Sequence, residues 1–91
     1  MKKIMIVDDE LLVRTGIKSL VNWEKHGYQV VCDAANGEEA KEKIGHFRPD
    51  IILTDLKMEP GDGFELIRYC RKNFPEIKLL VLSNYDDFDN V

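Results

Sequence analysis

The fold of this chain is decided by a stretch near its start that reads Ile4-Met5-Ile6-Val7-Asp8-Asp9-Glu10. Four apolar residues in a row, with no polar residue between them, are typical of a strand that is buried on both faces of a sheet. Acidic residues follow directly at the point where this strand would end. Similar apolar runs occupy residues 51–53 and 79–82, and a weaker one occupies residues 28–32. The sequence therefore predicts four buried strands.

Apolar residues recur at helical spacing in each of the three segments between these runs. They are Val13, Ile17, Leu20 and Val21 in a helix predicted for residues 10–22, Ala40, Ile44 and Phe47 in a second helix after the turn Asn36-Gly37, and Ile67, Cys70 and Phe74 in a third. Asp62, with Glu65 three residues later, predicts the N-terminal cap of the third helix, and Pro75 predicts its end. The resulting order β-α-β-α-β-α-β indicates an α/β fold, a parallel sheet with helices on its faces and right-handed crossovers.

Composition limits the class of protein. A length of 91 residues predicts one domain, and an apolar content of 44% is enough for a packed core. The net charge of −4 disfavours direct binding to nucleic acid, because phosphate backbones attract basic surfaces. Only four apolar residues follow Lys2-Lys3, which is too short for a signal peptide or a membrane span. Cys32 and Cys70 are far apart and are interpreted as reduced core thiols. We therefore expect a soluble, cytoplasmic protein.

Acidic residues follow two of the predicted strands. Asp8 and Asp9 come after the first strand and Asp55 after the third, while Ser83 follows the fourth. Open parallel sheets bind ligands beyond the carboxyl ends of their strands, so these residues converge if the first and third strands are neighbours. Clustered carboxylates repel one another unless a cation relieves the repulsion, and Mg²⁺ with a phosphate oxygen is suited to such a site. A central aspartate could then attack a phosphoryl group, and the Ser83 hydroxyl could hydrogen-bond it.

A simpler interpretation of these acids also exists. A single acid at a strand end is more often a helix cap or a solvated loop residue, and we assign Asp33 and Asp50 to that class. For Asp8, Asp9 and Asp55 the residues alone leave both interpretations open.

Two enzyme classes are disfavoured. Aspartyl-phosphate phosphatases of the haloacid dehalogenase type have a second acid two residues after the nucleophile, where this chain has Lys57. Dinucleotide-binding folds have a glycine-rich turn after the first strand, where this chain has the acids 8–10.

Four motifs occur in order, each in a strand-helix context. They are Ile4 to Glu10, Ala35-Asn36-Gly37-Glu38-Glu39-Ala40, Pro49 to Met58 followed by Asp62-Gly63, and Leu80-Val81-Leu82-Ser83. With these motifs the whole chain resembles a bacterial response-regulator receiver domain of two-component signalling systems, which has a CheY-like, doubly wound fold with strand order 2-1-3-4-5.

The resemblance implies a role for each site residue. Asp55 would be the phospho-acceptor. Asp9 and Asp55 would bind Mg²⁺ directly, together with the backbone carbonyl of Lys57, and Asp8 would act mainly through water. Ser83 would be the switch hydroxyl that contacts the phosphoryl group. The protein would not be a turnover enzyme, since its chemistry would be limited to phosphorylation and dephosphorylation at Asp55.

The resemblance also implies partners. The phosphoryl donor would be a phosphohistidine on a sensor histidine kinase. Residues 23–28 and 85–88 are similar to the subgroup that has an AraC-type DNA-binding output domain, which would lie outside this chain and regulate transcription. We expect neither direct contact with nucleic acid nor contact with a membrane from the chain itself.

The chain departs from the family pattern at one position near the site. The family usually has proline four residues after the phospho-acceptor, but Glu59 stands here and proline follows at Pro60. The added negative charge would either weaken retention of the phosphoryl group or strengthen metal binding.

The chain also departs in length. Receivers of the family run to roughly 120 residues, an ordinary domain size. The resemblance therefore implies that domain 1–91 is incomplete at its C-terminus, where residues 86–91 begin a fourth helix. The fifth strand, the fifth helix and the lysine that contacts the phosphoryl group would be missing, so the sheet order would be 2-1-3-4.

The fourth strand would then be an exposed sheet edge, open to self-association. Several hundred Å² of uncovered apolar surface, at about 25 cal/mol per Å², would cost ~10 kcal/mol. Because a typical domain is stable by only about 5–15 kcal/mol, we expect the isolated chain to be unfolded or to pair with a partner. A truncated, non-signalling fragment or assembly module that does not sustain phosphotransfer is thus the alternative function.

Overall fold

The structure is a computed structural model that describes residues 1–82. It is built from four strands, three α-helices and a short 3₁₀ turn. In chain order these are β1 (Lys2–Val7), α1 (Leu11–Leu20), the 3₁₀ turn (Glu24–His26), β2 (Tyr28–Ala34), α2 (Gly37–Phe47), β3 (Ile51–Thr54), α3 (Gly63–Asn73) and β4 (Lys78–Val81). The predicted order of elements is confirmed, and the helix predicted to begin at residue 86 lies outside the described residues.

The four strands form one parallel sheet in the order β2-β1-β3-β4, as predicted. The central strand β1 pairs with β2 on one side and with β3 on the other, and its last residue, Val7, is level with Ala34 and Thr54. The carboxyl ends of these three strands therefore finish at the same edge of the sheet. Residues that follow β1 and β3 are brought together there.

The core lies on the face of the sheet that α2 and α3 cover. Its buried residues come from β1, β2, β3, the two helices and the loops next to β3 and β4. They are Met5, Val7, Ala34, Ala40, Ile44, Ile52, Met58, Leu66, Cys70 and Ile77. This packing holds β1 and β3 rigidly side by side, which matters for the residues at their ends.

The side chains of Asn36 and Asp62 cap the two helices of this face. Each accepts a hydrogen bond of 2.9 Å from the main-chain N–H three residues later, in Glu39 and Glu65 respectively. The cap predicted at Asp62 is therefore confirmed. Helix α3 ends before Pro75, as also predicted.

Helix α1 confirms the helix predicted for residues 10–22, but its apolar residues are more exposed than those of the other two helices. Helix α1 forms, but none of its residues is fully buried, and Leu20 is 87% exposed. Polar contacts help to attach α1. Lys18 pairs with Asp33 on β2, and the indole N–H of Trp23 donates to the carbonyl of Ile17 at 3.0 Å. Phe47, which shares the apolar pattern of α2 with Ala40 and Ile44, is likewise partly exposed.

Strand β4 also corrects the prediction of four strands buried on both faces. Leu80 is 48% and Val81 is 45% exposed, whereas Ile4 to Val7 of β1 are buried. Strand β4 pairs with β3 along one edge. Within residues 1–82, no strand lies beside the other edge of β4. In the same part of the chain, no helix has both the length and the apolar character to cross a bilayer.

Candidate functional site

Three carboxylates meet at the carboxyl edge of the sheet. Asp8 and Asp9 follow β1 and Asp55 follows β3, and one oxygen from each lies within 4.8 Å of the others. This is the convergence that the strand order predicts. Ser83, the predicted switch hydroxyl, lies outside the described residues.

The strand ladders hold the main chain of this site. The N–H of Asp8 donates to the carbonyl of Ala34 at 3.1 Å, and the N–H of Asp55 donates to the carbonyl of Val7 at 2.9 Å. Parallel pairing thus continues one residue beyond the strands, so both aspartates leave the sheet from fixed main-chain positions.

The Asp55 carboxylate is oriented by its own loop. Its Oδ1 accepts hydrogen bonds from the main-chain N–H groups of Leu56 at 2.7 Å and Lys57 at 3.3 Å. The hydroxyl of Thr54 donates to the Asp55 carbonyl at 2.8 Å. The two bonds to Oδ1 restrict rotation of the half-buried carboxylate, while the Thr54 bond holds the main chain of Asp55.

The three acids differ in exposure, and burial changes the pKa of one of them. Asp8 is buried, Asp9 is exposed and Asp55 is half-buried. Burial raises the pKa of Asp8 above its ordinary value, the hydrogen bond from the Glu10 N–H lowers it, and the charges of Asp55 and Asp9 raise it further. A group of carboxylates with this mutual repulsion suits a small divalent cation that prefers oxygen ligands. The residues present therefore fit Mg²⁺.

A surface depression of about 520 Å³ opens next to Asp9. It is lined by Asp9, Leu56, Lys57, Met58, Glu59, Asp62 and Phe64. Lys57 and Glu59, both singled out in the sequence, thus lie on the rim of the same depression as Asp9. It leaves open space beside the exposed acid of the cluster.

The loop after Asp55 is fastened to the start of α2. The N–H of Gly37 donates to the carbonyl of Gly61 at 2.7 Å, and the N–H of Glu38 donates to the carbonyl of Pro60 at 3.4 Å. A Cβ on Gly37 would lie only 2.8 Å from the carbonyl carbon of Gly61, so the close approach requires glycine. The motif around Asn36-Gly37 therefore supports the site loop, a role that sequence reasoning missed.

Sequence reasoning also missed a basic residue next to the acids. Arg14 on α1 donates from Nη1 to the main-chain carbonyl of Asp8 at 2.7 Å, and from Nε to Asp33 at 3.1 Å. Asp33 was predicted to be a helix cap or solvated loop residue, but it lies in β2 and is ion-paired with Arg14 and Lys18. Asp50 fits its simple interpretation, since it accepts from the N–H of Lys3 at 2.7 Å. For Arg14, the signal available in the sequence was a basic residue within the otherwise apolar stripe of the first helix.

The family described as response regulator receiver domain matches residues 4–91 of this chain. The chain belongs to that family. The predicted resemblance is thereby confirmed, and so is the CheY-like fold class, with strand order 2-1-3-4 in residues 1–82. Family membership makes the chain a receiver domain of the kind found in two-component response regulators.

Sequence relatives of this receiver domain include transcriptional and oxygen regulators. It is 39% identical over 89 residues to the transcriptional regulatory protein YesN of Bacillus subtilis, a match that covers 98% of the chain and 24% of YesN. It is 41% identical over 86 residues to the oxygen regulatory protein NreC of Staphylococcus aureus, with 93% of the chain and 39% of NreC covered. The receiver domain thus spans about a quarter to two-fifths of the length of these relatives.

Solved structures agree with the fold. The REC domain of AraT, a response regulator from Geobacillus stearothermophilus, matches with a TM-score of 0.89 and 36% identity, over 97% of this chain and 68% of that one. A two-component transcriptional regulator AraC from Clostridium phytofermentans matches with a TM-score of 0.86 and 31% identity, over 99% and 70%. Both similarities cover nearly all of the receiver domain described above.

Proposed function

We propose that Asp55 is the phospho-acceptor of a two-component signalling protein, and that a histidine kinase supplies the phosphoryl group. The observation that supports this most is the meeting of three carboxylates within 4.8 Å at the carboxyl ends of β1 and β3. Asp9, Asp55 and the backbone carbonyl of Lys57 would hold Mg²⁺ directly, and Asp8 would act through water. When bound, the cation would neutralise charge on the transferred group.

Asp55 provides the nucleophile. One of its carboxylate oxygens attacks phosphorus, the bond from phosphorus to the imidazole nitrogen of the donor breaks, and that nitrogen keeps the electron pair. The product is an acyl phosphate on Asp55. The N–H groups of Leu56 and Lys57 hold Oδ1 throughout, so the attacking carboxylate needs little reorientation. The hydroxyl of Ser83 would contact the phosphoryl group from the end of β4.

The output lies outside this chain in the proposal. Residues 1–91 would belong to the receiver unit of a longer cytoplasmic regulator whose other part binds DNA. The names of YesN and of the AraC structure support an output in transcription. The net charge of −4 supports a receiver that does not itself contact nucleic acid. Its own chemistry would be that of a regulatory phospho-acceptor.

Incubation of the folded chain with acetyl phosphate and Mg²⁺ tests the proposal. Intact-mass spectrometry should show the gain of one phosphoryl group, and the gain should disappear in Asp55→Asn and on chelation of the metal. Asp50→Asn is the matched control, because Asp50 contacts the main chain of Lys3 at the other end of β1 and lies apart from the acid cluster. A folded chain that gains no mass, or a gain that persists in Asp55→Asn, would contradict the proposal.

A second candidate function is an assembly module that does not sustain phosphotransfer. The exposure of Leu80 and Val81 on β4 favours it, because an apolar strand edge can pair with another chain. The same mass measurement separates the candidates. An assembly module would associate through β4, and its mass would show no phosphoryl gain at Asp55.

A further inference from the structure

Arg14 joins three elements next to the acid cluster. It lies in the first turn of α1, and only 13% of its side chain is exposed. Its Nη1 donates to the main-chain carbonyl of Asp8 at 2.7 Å, while its Nε donates to Oδ2 of Asp33 at 3.1 Å. The guanidinium therefore ties α1 to the end of β1 and to β2 at the same time.

The carbonyl that Arg14 holds belongs to the peptide unit between Asp8 and Asp9. A peptide unit is planar, so the direction of this carbonyl sets the direction in which the chain continues to the Cα of Asp9. The N–H of Asp8 is held by Ala34, and its carboxylate accepts from the N–H of Glu10 at 2.9 Å. The hydrogen bond from Arg14 thus holds the carbonyl, the remaining main-chain group of Asp8.

Lys18 provides a natural comparison. Its Nζ donates to the same Oδ2 of Asp33 at 2.9 Å, one turn further along α1. Both cations therefore neutralise Asp33 and attach α1 to β2, but the contact to Asp8 is made by Arg14. Lysine in place of Arg14 has a single nitrogen and lacks the two separated donors of the planar guanidinium.

We propose that Arg14 is a positioning residue for the cation site, holding the peptide unit between Asp8 and Asp9 so that both carboxylates face Asp55. This inference rests on the proposed function and adds to it a residue that touches neither metal nor phosphoryl group. Groups that orient the ligands of a metal typically change its affinity by about ten- to a hundredfold when removed. The expected effect is therefore on Mg²⁺ affinity rather than on the nucleophile.

Calorimetric titration with Mg²⁺ of Arg14→Met, Arg14→Lys and the control Lys18→Met tests this role. The first two should bind Mg²⁺ roughly tenfold more weakly than the wild type. Lys18→Met should remain within about twofold, because it loses a partner of Asp33 without disturbing Asp8. Circular dichroism confirms that each titrated variant is folded, and if Arg14→Met does not fold, Arg14→Lys decides the result.

The rate of phosphorylation by acetyl phosphate gives a second readout. A positioning role predicts that saturating Mg²⁺ restores the rate of Arg14→Lys to nearly that of the wild type. The inference would be overturned if the Arg14 variants bound Mg²⁺ as tightly as the wild type, or lost only as much affinity as Lys18→Met. It would also be overturned if saturating Mg²⁺ did not restore the phosphorylation rate. A wild-type chain that neither binds Mg²⁺ nor becomes phosphorylated would instead overturn the proposed function.

Discussion

The Cα of Gly63 lies directly against the main-chain carbonyl oxygen of Asp55. A Cβ at position 63 would overlap that oxygen and would come within 2.7 Å of the Cα of Leu56. The N–H of Gly63 also donates to the carbonyl of Leu56 at 3.0 Å. The start of α3 is therefore packed on the segment that holds the proposed phospho-acceptor, and the absence of a side chain permits the contact.

Alanine at Gly63 should destabilise the fold and disturb the site together. We expect Gly63→Ala to lower the free energy of unfolding by about 1–3 kcal/mol, as forced overpacking does. Phosphorylation of Asp55 should slow as well, because its carbonyl must move. Urea unfolding and the acetyl phosphate reaction measure the two effects.

Gly45→Ala is the matched control. Gly45 lies in α2, and a Cβ there meets no atom within 4 Å. The same substitution should stabilise the protein by roughly 0.5–1 kcal/mol, because alanine favours a helix interior. Equal effects at the two glycines would contradict the packing argument.

Asp33 should contribute stability that depends on pH. Burial raises its pKa, but hydrogen bonds and charges from Lys18 and Arg14 outweigh this and hold the pKa below its ordinary value of 3.8. For an acid with a lowered pKa, the contribution is complete above the ordinary value and is lost as the pH falls through the lower folded value.

Asp33→Asn tests this contribution. The variant should be less stable than the wild type by roughly 0.5–1 kcal/mol at pH 7, the range of exposed to partly buried ion pairs. The difference should begin to shrink as the pH falls below ~3.8 and should disappear below the folded pKa of Asp33. Urea unfolding from pH 7 to pH 3 measures it, and a difference that stays constant over this range would show that the ion pairs are not its source.

Glu59 should strengthen Mg²⁺ binding through its charge alone. It is exposed and lines the same depression as Asp9, so its effect acts through solvent and is small and screened. Glu59→Gln should weaken Mg²⁺ binding by about two- to threefold at low salt, and the difference should vanish at high salt. Titrations at two ionic strengths measure this. Tighter Mg²⁺ binding by the variant would be the opposite of what the charge predicts.

The β4 edge should make the chain self-associate. Leu80 is 48% exposed on a strand whose outer edge has no partner strand within residues 1–82. Sedimentation of the wild type should show an average mass that rises with concentration, and Leu80→Lys should reduce the rise because a charge on an edge strand opposes pairing.

Phe64→Lys is the comparison for that experiment. Phe64 is 54% exposed but lies on α3 rather than on a strand. Phe64→Lys makes the same change from apolar to charged as Leu80→Lys. Equal effects of the two variants would therefore indicate non-specific apolar association. A wild type that stays monomeric would rule out the edge interface.

The order of the elements could be predicted because its causes are local. The apolar run of β1 is uninterrupted, and Met5, Ile6 and Val7 are indeed fully buried. The cap at Asp62 joins its side chain to the N–H three residues later, so the residue type and its position before the helix are enough to predict it. The strand order followed from the known pattern of the resembling family.

The attachment of α1 could not be predicted in this way. Helical spacing shows which residues share a face, but it does not show what covers that face. Leu12 and Leu20 are 84% and 87% exposed, whereas Arg14 on the same helix is largely buried against β2. The partner of Arg14 is a carboxylate on a different strand, so its burial depends on how α1 crosses the sheet.

The sequence by itself determined which residues end each strand, and therefore which acids were available for a site. Only the tertiary structure decided that Asp8, Asp9 and Asp55 meet, because their approach depends on the pairing of β1 with β3 in a register that levels Val7 with Thr54. It also decided the contact between Arg14 and Asp8. Local patterns express main-chain preferences over a few residues, whereas these contacts require elements distant in sequence to pack against each other.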